Sequence, residues 1–121
     1  MQLQSEDLFP YGQFRKNQKE FITRANKILD RGDHVIISAP NGFGKTVSTL
    51  CAALPVAMTY DLKIVYCCRT HTQNSRVISE LNVIGQYLIK QGFQEQELRS
   101  LLFGVSLRGR KNMCFMDQIL E

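Results

Sequence analysis

The sequence lacks tryptophan, has only three prolines and two histidines, and contains no long apolar run. A helix that crosses a membrane needs about 18 or more apolar residues, and no stretch here approaches that length. The first ten residues, MQLQSEDLFP, have neither the basic start nor the apolar core of a secretory signal. We therefore expect an intracellular protein with no membrane partner.

Cysteine is also scarce, and its four positions exclude the common structural zinc patterns. Cys51, Cys67, Cys68 and Cys114 include no C-x-x-C pair and have no nearby pair of histidines. The first three lie in apolar segments, where cysteine usually acts as a small buried hydrophobe. Cys114 follows the basic stretch RGRKNM, where no core pattern accounts for it. By its neighbours alone, Cys114 would be an isolated thiol.

The overall composition of the chain is typical of a single globular domain. The chain has 121 residues, of which 44% are hydrophobic and 21% are charged, so we expect one hydrophobic core. Fifteen Lys and Arg residues against eleven Asp and Glu give a net charge of +4. This mild excess permits a nucleic acid as a partner but does not require one.

Apolar periodicity predicts helices and strands in alternation. Helices are expected at residues 16–30, 45 to about 60 and 75–90, with Gly32 and Gly92 as stops and Pro55 as a kink or early end. Buried strands are expected at residues 34–39, 62–68 and 101–107. This order predicts an α/β fold of three layers, α/β/α, with a mostly parallel sheet that stops after about three strands.

The stretch APNGFGKT, residues 39–46, carries the strongest functional signal. It has the spacing of a phosphate-binding loop, with Ala in place of the first Gly, between a predicted strand and a predicted helix. Gly42 and Gly44 would let backbone N–H groups turn inward around phosphates. Lys45 would contact the β and γ phosphates, and Thr46 would offer its hydroxyl to Mg²⁺. The expected nucleotide-binding residues are Ala39, Pro40, Asn41, Gly42, Phe43, Gly44, Lys45 and Thr46, with Lys45 and Thr46 as the catalytic pair.

A phosphate loop alone does not name a function, because unrelated enzymes share it. One alternative is another phosphate-loop enzyme, such as a small kinase, although RTHTQNSR lacks the lid sequence that a kinase needs. A second alternative is a non-catalytic module that binds ATP or DNA or docks on a partner. A glycine-rich structural turn that contains GKT by chance is the third.

Two further segments narrow these choices. Arg15 and Gln18 stand three residues apart at the start of the first predicted helix, and a glutamine amide suits the donor and acceptor pair of adenine. Downstream, Cys68 to Val77 places a dense set of donors after the second predicted strand. Such donors can hold phosphodiester oxygens without reading sequence. The expected DNA-binding residues are Arg69, Thr70, His71, Gln73 and Arg76.

Together, four segments resemble the N-terminal part of the XPD-like DNA helicases, superfamily 2 motors that carry an iron–sulfur cluster. The segments are FPYGQFRKNQ, SAPNGFGKT, YCCRTHTQ and LRGRKNMC, and they occur in the order of the family. They resemble its adenine-reading motif, its Walker A motif, its DNA-contacting motif and the entry to its cluster insertion. Residues 1–109 would then be the first part of a RecA-like, P-loop NTPase motor domain, and residues 110–121 the start of the insertion.

The resemblance implies an ATP-driven helicase that moves 5′ to 3′ on single-stranded DNA in DNA repair, with transcription-complex or repair proteins as possible partners. Gln18 and Arg15 would recognise adenine, and Mg²⁺ would accompany ATP. Cys114 would be one of four ligands of a 4Fe–4S cluster, which this chain alone could not assemble.

The carboxylate pair that ATP hydrolysis requires is not apparent in the sequence. A helicase motor needs a carboxylate pair after a further apolar strand, and Asp30, Asp61 and Asp117 do not follow such a run. We therefore expect the 121 residues to represent the first portion of a helicase. By themselves they should show little ATP turnover and no unwinding.

Overall fold

The computed structural model describes residues 3–109 of the chain. A short 3₁₀ helix at Ser5–Leu8 comes first. Four α-helices follow, namely α1 (Gln18–Asp30), α2 (Lys45–Thr59), α3 (His71–Lys90) and α4 (Glu95–Leu101).

The predicted α/β fold with a parallel sheet is wrong, because every regular element between residues 3 and 109 is helical. Residues 34–39 and 62–68 are irregular chain, and the third predicted strand begins at Leu101, which is the last residue of α4. A run of β-branched residues favours a pleated conformation, but a strand exists only where a neighbouring strand completes its hydrogen bonds about 4.8 Å away. The periodicity therefore identified segments suited to a sheet without showing that they pair.

The second and third of these segments lie against the helices on one side only. Tyr66 and Leu102 pack on the hydrophobic core. Side chains that point the other way are exposed, with 85% of the surface of Val65 and 78% of that of Phe103 accessible to solvent. The expectation that both sides of each run would be covered is therefore also wrong within the described residues.

The helix predictions are largely confirmed. Helix α2 begins at the predicted Lys45 and continues through Pro55 to Thr59. Helix α3 begins at His71, four residues before the predicted start, and α4 was not predicted. Gly32 and Gly92 follow α1 and α3 with φ angles of 78° and 101°, a conformation that glycine adopts at low cost. Both glycines act as the predicted helix stops.

The core lies between the 3₁₀ helix and the first three α-helices. Its fully buried members include Leu8, Ile22, Cys51, Ile84 and Leu88. Burial raises the pKa of the Cys51 thiol to about 12, so the thiol stays protonated at neutral pH. The expectation of a buried thiol is confirmed for Cys51 only, because Cys67 is exposed and Cys68 is half-buried.

A polar contact joins the 3₁₀ helix to α1. The Thr23 hydroxyl donates to a Glu6 carboxylate oxygen at 2.9 Å, and Lys19 Nζ lies 3.2 Å from the other oxygen. These two contacts lower the pKa of Glu6 below its ordinary value, the hydrogen bond from Thr23 having the larger effect. Because the charged carboxylate is favoured in the fold, this contact stabilises the protein above the ordinary glutamate pKa and is lost as pH falls through the lowered one.

Among residues 3–109, none of the helices combines the length and the apolar character that a membrane-crossing helix needs.

Candidate functional site

The glycine-rich loop turns sharply at both glycines. Gly42 and Gly44 have φ angles of 80° and 82°, in the left-handed region that a side chain disfavours. Between them, the N–H of Phe43 donates to the carbonyl of Pro40 at 3.3 Å and closes a tight turn. The loop therefore has a backbone conformation that depends on glycine at the two positions that the sequence singled out.

Helix α2 begins at the end of this loop. Gly44 is the residue before the helix and offers no side chain to cap it, so the first-turn N–H groups face outward without a side-chain partner from that position. Lys45 is exposed and Thr46 is half-buried in this first turn. The first turn of α2 thus combines backbone N–H donors, the positive end of the helix dipole and the ammonium of Lys45. This combination suits the binding of an anion.

Gln18 is buried beneath the loop. Only 2% of its surface is accessible, its Nε2 donates to the Ser48 hydroxyl at 3.0 Å, and its Oε1 accepts from the backbone N–H of Arg15 at 2.9 Å. Both ends of the amide therefore already have partners inside the protein. The prediction that Gln18 recognises adenine stays a prediction.

Arg15 lies over the same loop. Its Nη1 atom is 3.9 Å from the position that a β-carbon on Gly42 would occupy, which brings the guanidinium to the glycine turn. A cavity of about 330 Å³ lies between α1 and the loop, with Pro40 and the ring of Phe43 among its walls. The Phe43 ring meets Phe21 of α1 edge to face, with centroids 5.3 Å apart. The structure thus brings together the loop residues and Arg15 at one surface.

The predicted DNA-binding residues gather at the start of α3, where all five side chains are exposed. Two of them cap the helix: the Thr70 hydroxyl accepts from the Gln73 N–H at 3.2 Å, and the Gln73 side chain accepts from the Arg69 N–H at 3.1 Å. Arg69, His71 and Arg76 are the members with charged or titratable side chains.

Sequence reasoning missed Ser48 and Arg108. Ser48 is fully buried and joins Gln18 to the carbonyl of Gly44, to which its hydroxyl donates at 2.7 Å. Arg108 Nη2 donates to the Ser75 hydroxyl at 3.2 Å and adds a cation beside the start of α3. A serine three residues after Lys45 gives no signal by itself, because its role depends on the approach of α1. The place of Arg108 beside α3 could not be read from the sequence, because its partner Ser75 lies 33 residues away.

The described residues contain no group of three or more His, Cys, Asp or Glu side chains that could hold a metal. Cys114, which the resemblance assigns to an iron–sulfur cluster, lies outside residues 3–109, as do all residues of the predicted insertion at 110–121. The cluster therefore stays a prediction.

Comparison with known proteins gives a consistent set of relatives. The chain is 32% identical over 114 residues to the general transcription and DNA repair factor IIH helicase subunit XPD/RAD3 of Saccharomyces cerevisiae. It is 31% identical over 115 residues to the corresponding XPD subunit of Schizosaccharomyces pombe, and 26% identical over 115 residues to that of Arabidopsis thaliana.

These three matches each cover 93% of this chain, but the chain spans only 14% of the two yeast relatives and 15% of the plant one. No protein-family profile matches the chain. No solved structure matches it either.

Proposed function

Over the residues that match, this chain is an XPD-like helicase sequence, and we propose that it binds the triphosphate of ATP on the loop at residues 39–46. The observation that carries the proposal is the loop itself. Two left-handed glycines lead directly into the first turn of α2, where Lys45 and Thr46 lie. Such a turn aims backbone N–H groups and a helix dipole at one anion.

Each loop residue has a proposed part in holding the nucleotide. Residues 39–44 supply the backbone curve, and Lys45 supplies a cation to the β and γ phosphates. Thr46 is half-buried in the first turn and is proposed as the Mg²⁺ ligand. Mg²⁺ would neutralise charge that develops on the phosphates. Arg15, whose guanidinium approaches Gly42, is proposed to add a second cation.

We propose the start of α3 as a contact for single-stranded DNA. Arg69, His71 and Arg76 are exposed there, and Arg108 lies beside them through its bond to Ser75. Thr70 and Gln73 fix the helix start that presents these side chains. Exposed cations at a capped helix start suit the phosphate backbone, which carries no sequence information.

The cellular setting is proposed from the names of the relatives. Those proteins are helicase subunits of a general transcription and DNA repair factor. By this relationship the chain would serve an intracellular 5′ to 3′ DNA helicase in repair or transcription, among other proteins of such a complex. This proposal also includes a boundary between motor domain and insertion after residue 109. It includes Cys114 as a ligand of the iron–sulfur cluster.

Calorimetric titration with ATP and Mg²⁺ tests the nucleotide site. We expect Lys45→Ala to weaken ATP binding about ten-fold or more, because it removes a charge-assisted contact worth roughly 1.5–3 kcal/mol. Lys63→Ala is the matched control, since Lys63 is exposed in a segment distant in sequence from the loop, and should leave the affinity unchanged.

Absence of ATP binding by the unaltered chain would contradict the proposal, as would equal effects of the two substitutions.

The rate of ATP turnover distinguishes a complete motor from a module that only binds ATP. We propose that the 121 residues bind ATP without hydrolysing it, because no carboxylate pair is apparent in them. Steady-state hydrolysis that single-stranded DNA stimulates would overturn that part.

A further inference from the structure

We infer that Gly104 is a positioning residue that brings Arg108 to the start of α3, where the Arg108 guanidinium contacts a phosphate of single-stranded DNA. The inference rests on the proposed function, because Arg108 serves the proposed DNA site. It extends that function by giving a task to the segment at residues 102–108. Arg108 is 33 residues away in sequence from Ser75, its partner on α3.

The segment at residues 102–108 is extended and has one side on the helices. Leu102, Gly104 and Ser106 are half-buried, whereas the residues between them are exposed. This alternation is expected for an extended chain, in which successive side chains point to opposite sides. Arg108 continues the side that faces the helices, and its contact with Ser75 agrees with that placement.

Two contacts determine the direction of this segment along α3. Gly104 lies against the side chains of Ile78 and Leu81, and four residues later Arg108 Nη2 donates to the Ser75 hydroxyl at 3.2 Å. The segment therefore runs toward the start of α3. Four extended residues advance about 13 Å and six helical residues rise about 9 Å, a difference that an arginine side chain can span.

The close approach at Gly104 depends on the absence of a side chain. A β-carbon built there would lie 2.8 Å from Cδ2 of Leu81 and 3.2 Å from Cδ1 of Ile78. The backbone of Gly104 is outside the left-handed region, so space and not backbone conformation favours glycine. A larger residue would push the segment away from α3 and move Arg108 away from Ser75.

The place that Arg108 reaches already holds two exposed arginines. Arg69 precedes α3 and Arg76 lies within its first two turns. The Ser75 hydroxyl donates to the His71 carbonyl at 3.2 Å, so the partner of Arg108 is itself held to the first turn. Guanidinium groups suit phosphate oxygens, and a third one from a distant segment would lengthen the contact along the strand.

Binding of a fluorescent single-stranded oligothymidylate to the 121-residue chain, measured by anisotropy over a range of salt, tests the inference. We expect Arg108→Gln and Gly104→Val each to weaken binding roughly three- to ten-fold. Each should also lower the slope of log affinity against log salt concentration by about 0.7, the value for one phosphate contact. The double substitution should add little to either single one, because both remove the same contact.

Two matched controls should leave both the affinity and the slope unchanged. Gly12→Val adds the same side chain at an exposed position where nothing lies within 4 Å of a β-carbon. Arg31→Gln removes a cation whose partner is Asp33. The helical circular dichroism of every variant, recorded under the conditions of the assay, shows whether the fold is intact.

Gly104→Ala serves if Gly104→Val does not fold. It adds a single carbon, which the ends of the Leu81 and Ile78 side chains can partly accommodate, so we expect a smaller loss in the same direction. A folded Gly104 variant with unchanged affinity and slope would overturn the inference.

Other results would separate the inference from the proposed function. If Arg108→Gln bound the oligonucleotide as well as the unaltered chain does, the inference would fail and the proposed contact would rest on Arg69 and Arg76. Additive losses from Arg108→Gln and Gly104→Val would show that Gly104 does not act through Arg108. If the unaltered chain bound no oligonucleotide, the proposed DNA contact would fail first, and the inference with it.

Discussion

Gly44 and Gly32 have nearly the same backbone conformation but different surroundings. Their φ angles are 82° and 78°, yet nothing lies within 4 Å of a β-carbon built on Gly32, whereas one built on Gly44 meets Gln18 at 2.6 Å. An alanine at Gly32 would therefore meet backbone strain alone, whereas an alanine at Gly44 would meet the same strain and also a clash with Gln18.

We expect Gly32→Ala to lower the free energy of unfolding by about 1 kcal/mol, the cost of a left-handed alanine. Gly44→Ala should cost more, because Gln18 must also move, and it should weaken ATP binding while Gly32→Ala does not. Thermal unfolding followed by titration of each variant checks both statements. Equal destabilisation by the two substitutions would contradict the close packing of Gln18 against Gly44.

At the scale of the element, α3 combines a structural and a proposed functional task at one end. Thr70 and Gln73 satisfy backbone donors at the helix start, so their side chains are already engaged with the chain itself. The side chains of Arg69 and Arg76 do not take part in these capping hydrogen bonds. The cations, and not the polar capping residues, should therefore determine DNA affinity.

We expect the double substitution of Arg69 and Arg76 to Gln to weaken binding of a single-stranded oligonucleotide and to reduce the dependence of affinity on salt. Each phosphate contact to a single strand contributes a slope of about 0.7 in log affinity against log salt concentration. Fluorescence anisotropy over a range of salt measures the change. Arg31→Gln, at the residue after α1, is a control that removes a cation whose partner is Asp33. An affinity that does not fall with salt would count against phosphate contacts altogether.

At the scale of the whole molecule, the irregular segments give the protein an unusual surface. Ile36 is fully exposed, and Val65, Phe103 and Leu107 are each more than half exposed. Exposed apolar side chains promote association between molecules where they form a patch. The helices cover Tyr66 and Leu102 and leave their neighbours Val65 and Phe103 in water.

We expect Phe103→Ser to reduce concentration-dependent light scattering without lowering the unfolding temperature, because the side chain is 78% exposed. Leu102→Ser is the matched comparison. Leu102 is half-buried against the core, so its replacement should lower the unfolding temperature. If Phe103→Ser destabilised the fold as much as Leu102→Ser, the one-sided packing of this segment would be contradicted.

The helices and the glycine loop could be predicted from the sequence because their signals are local. The periodic apolar residues of α1 and α3, the stops at Gly32 and Gly92, and the left-handed Gly42 and Gly44 all depend on neighbours within a few residues. The resemblance to the XPD-like helicases likewise required only short motifs in order, and the relatives confirm it.

Pairing and burial depended on the tertiary structure, because they involve residues far apart in the chain. No pattern within residues 34–39 or 62–68 could show whether a neighbouring strand would complete their hydrogen bonds, and in the described residues none does. The environment of Gln18 was equally hidden, since its partner Ser48 lies 30 residues away. The sequence by itself determined where the chain turns and which residues can hold a phosphate. The packing of α1 on α2 decided which of those residues stay accessible and which, like Gln18, are buried beneath the loop, because burial and hydrogen-bond partners exist only after distant segments meet.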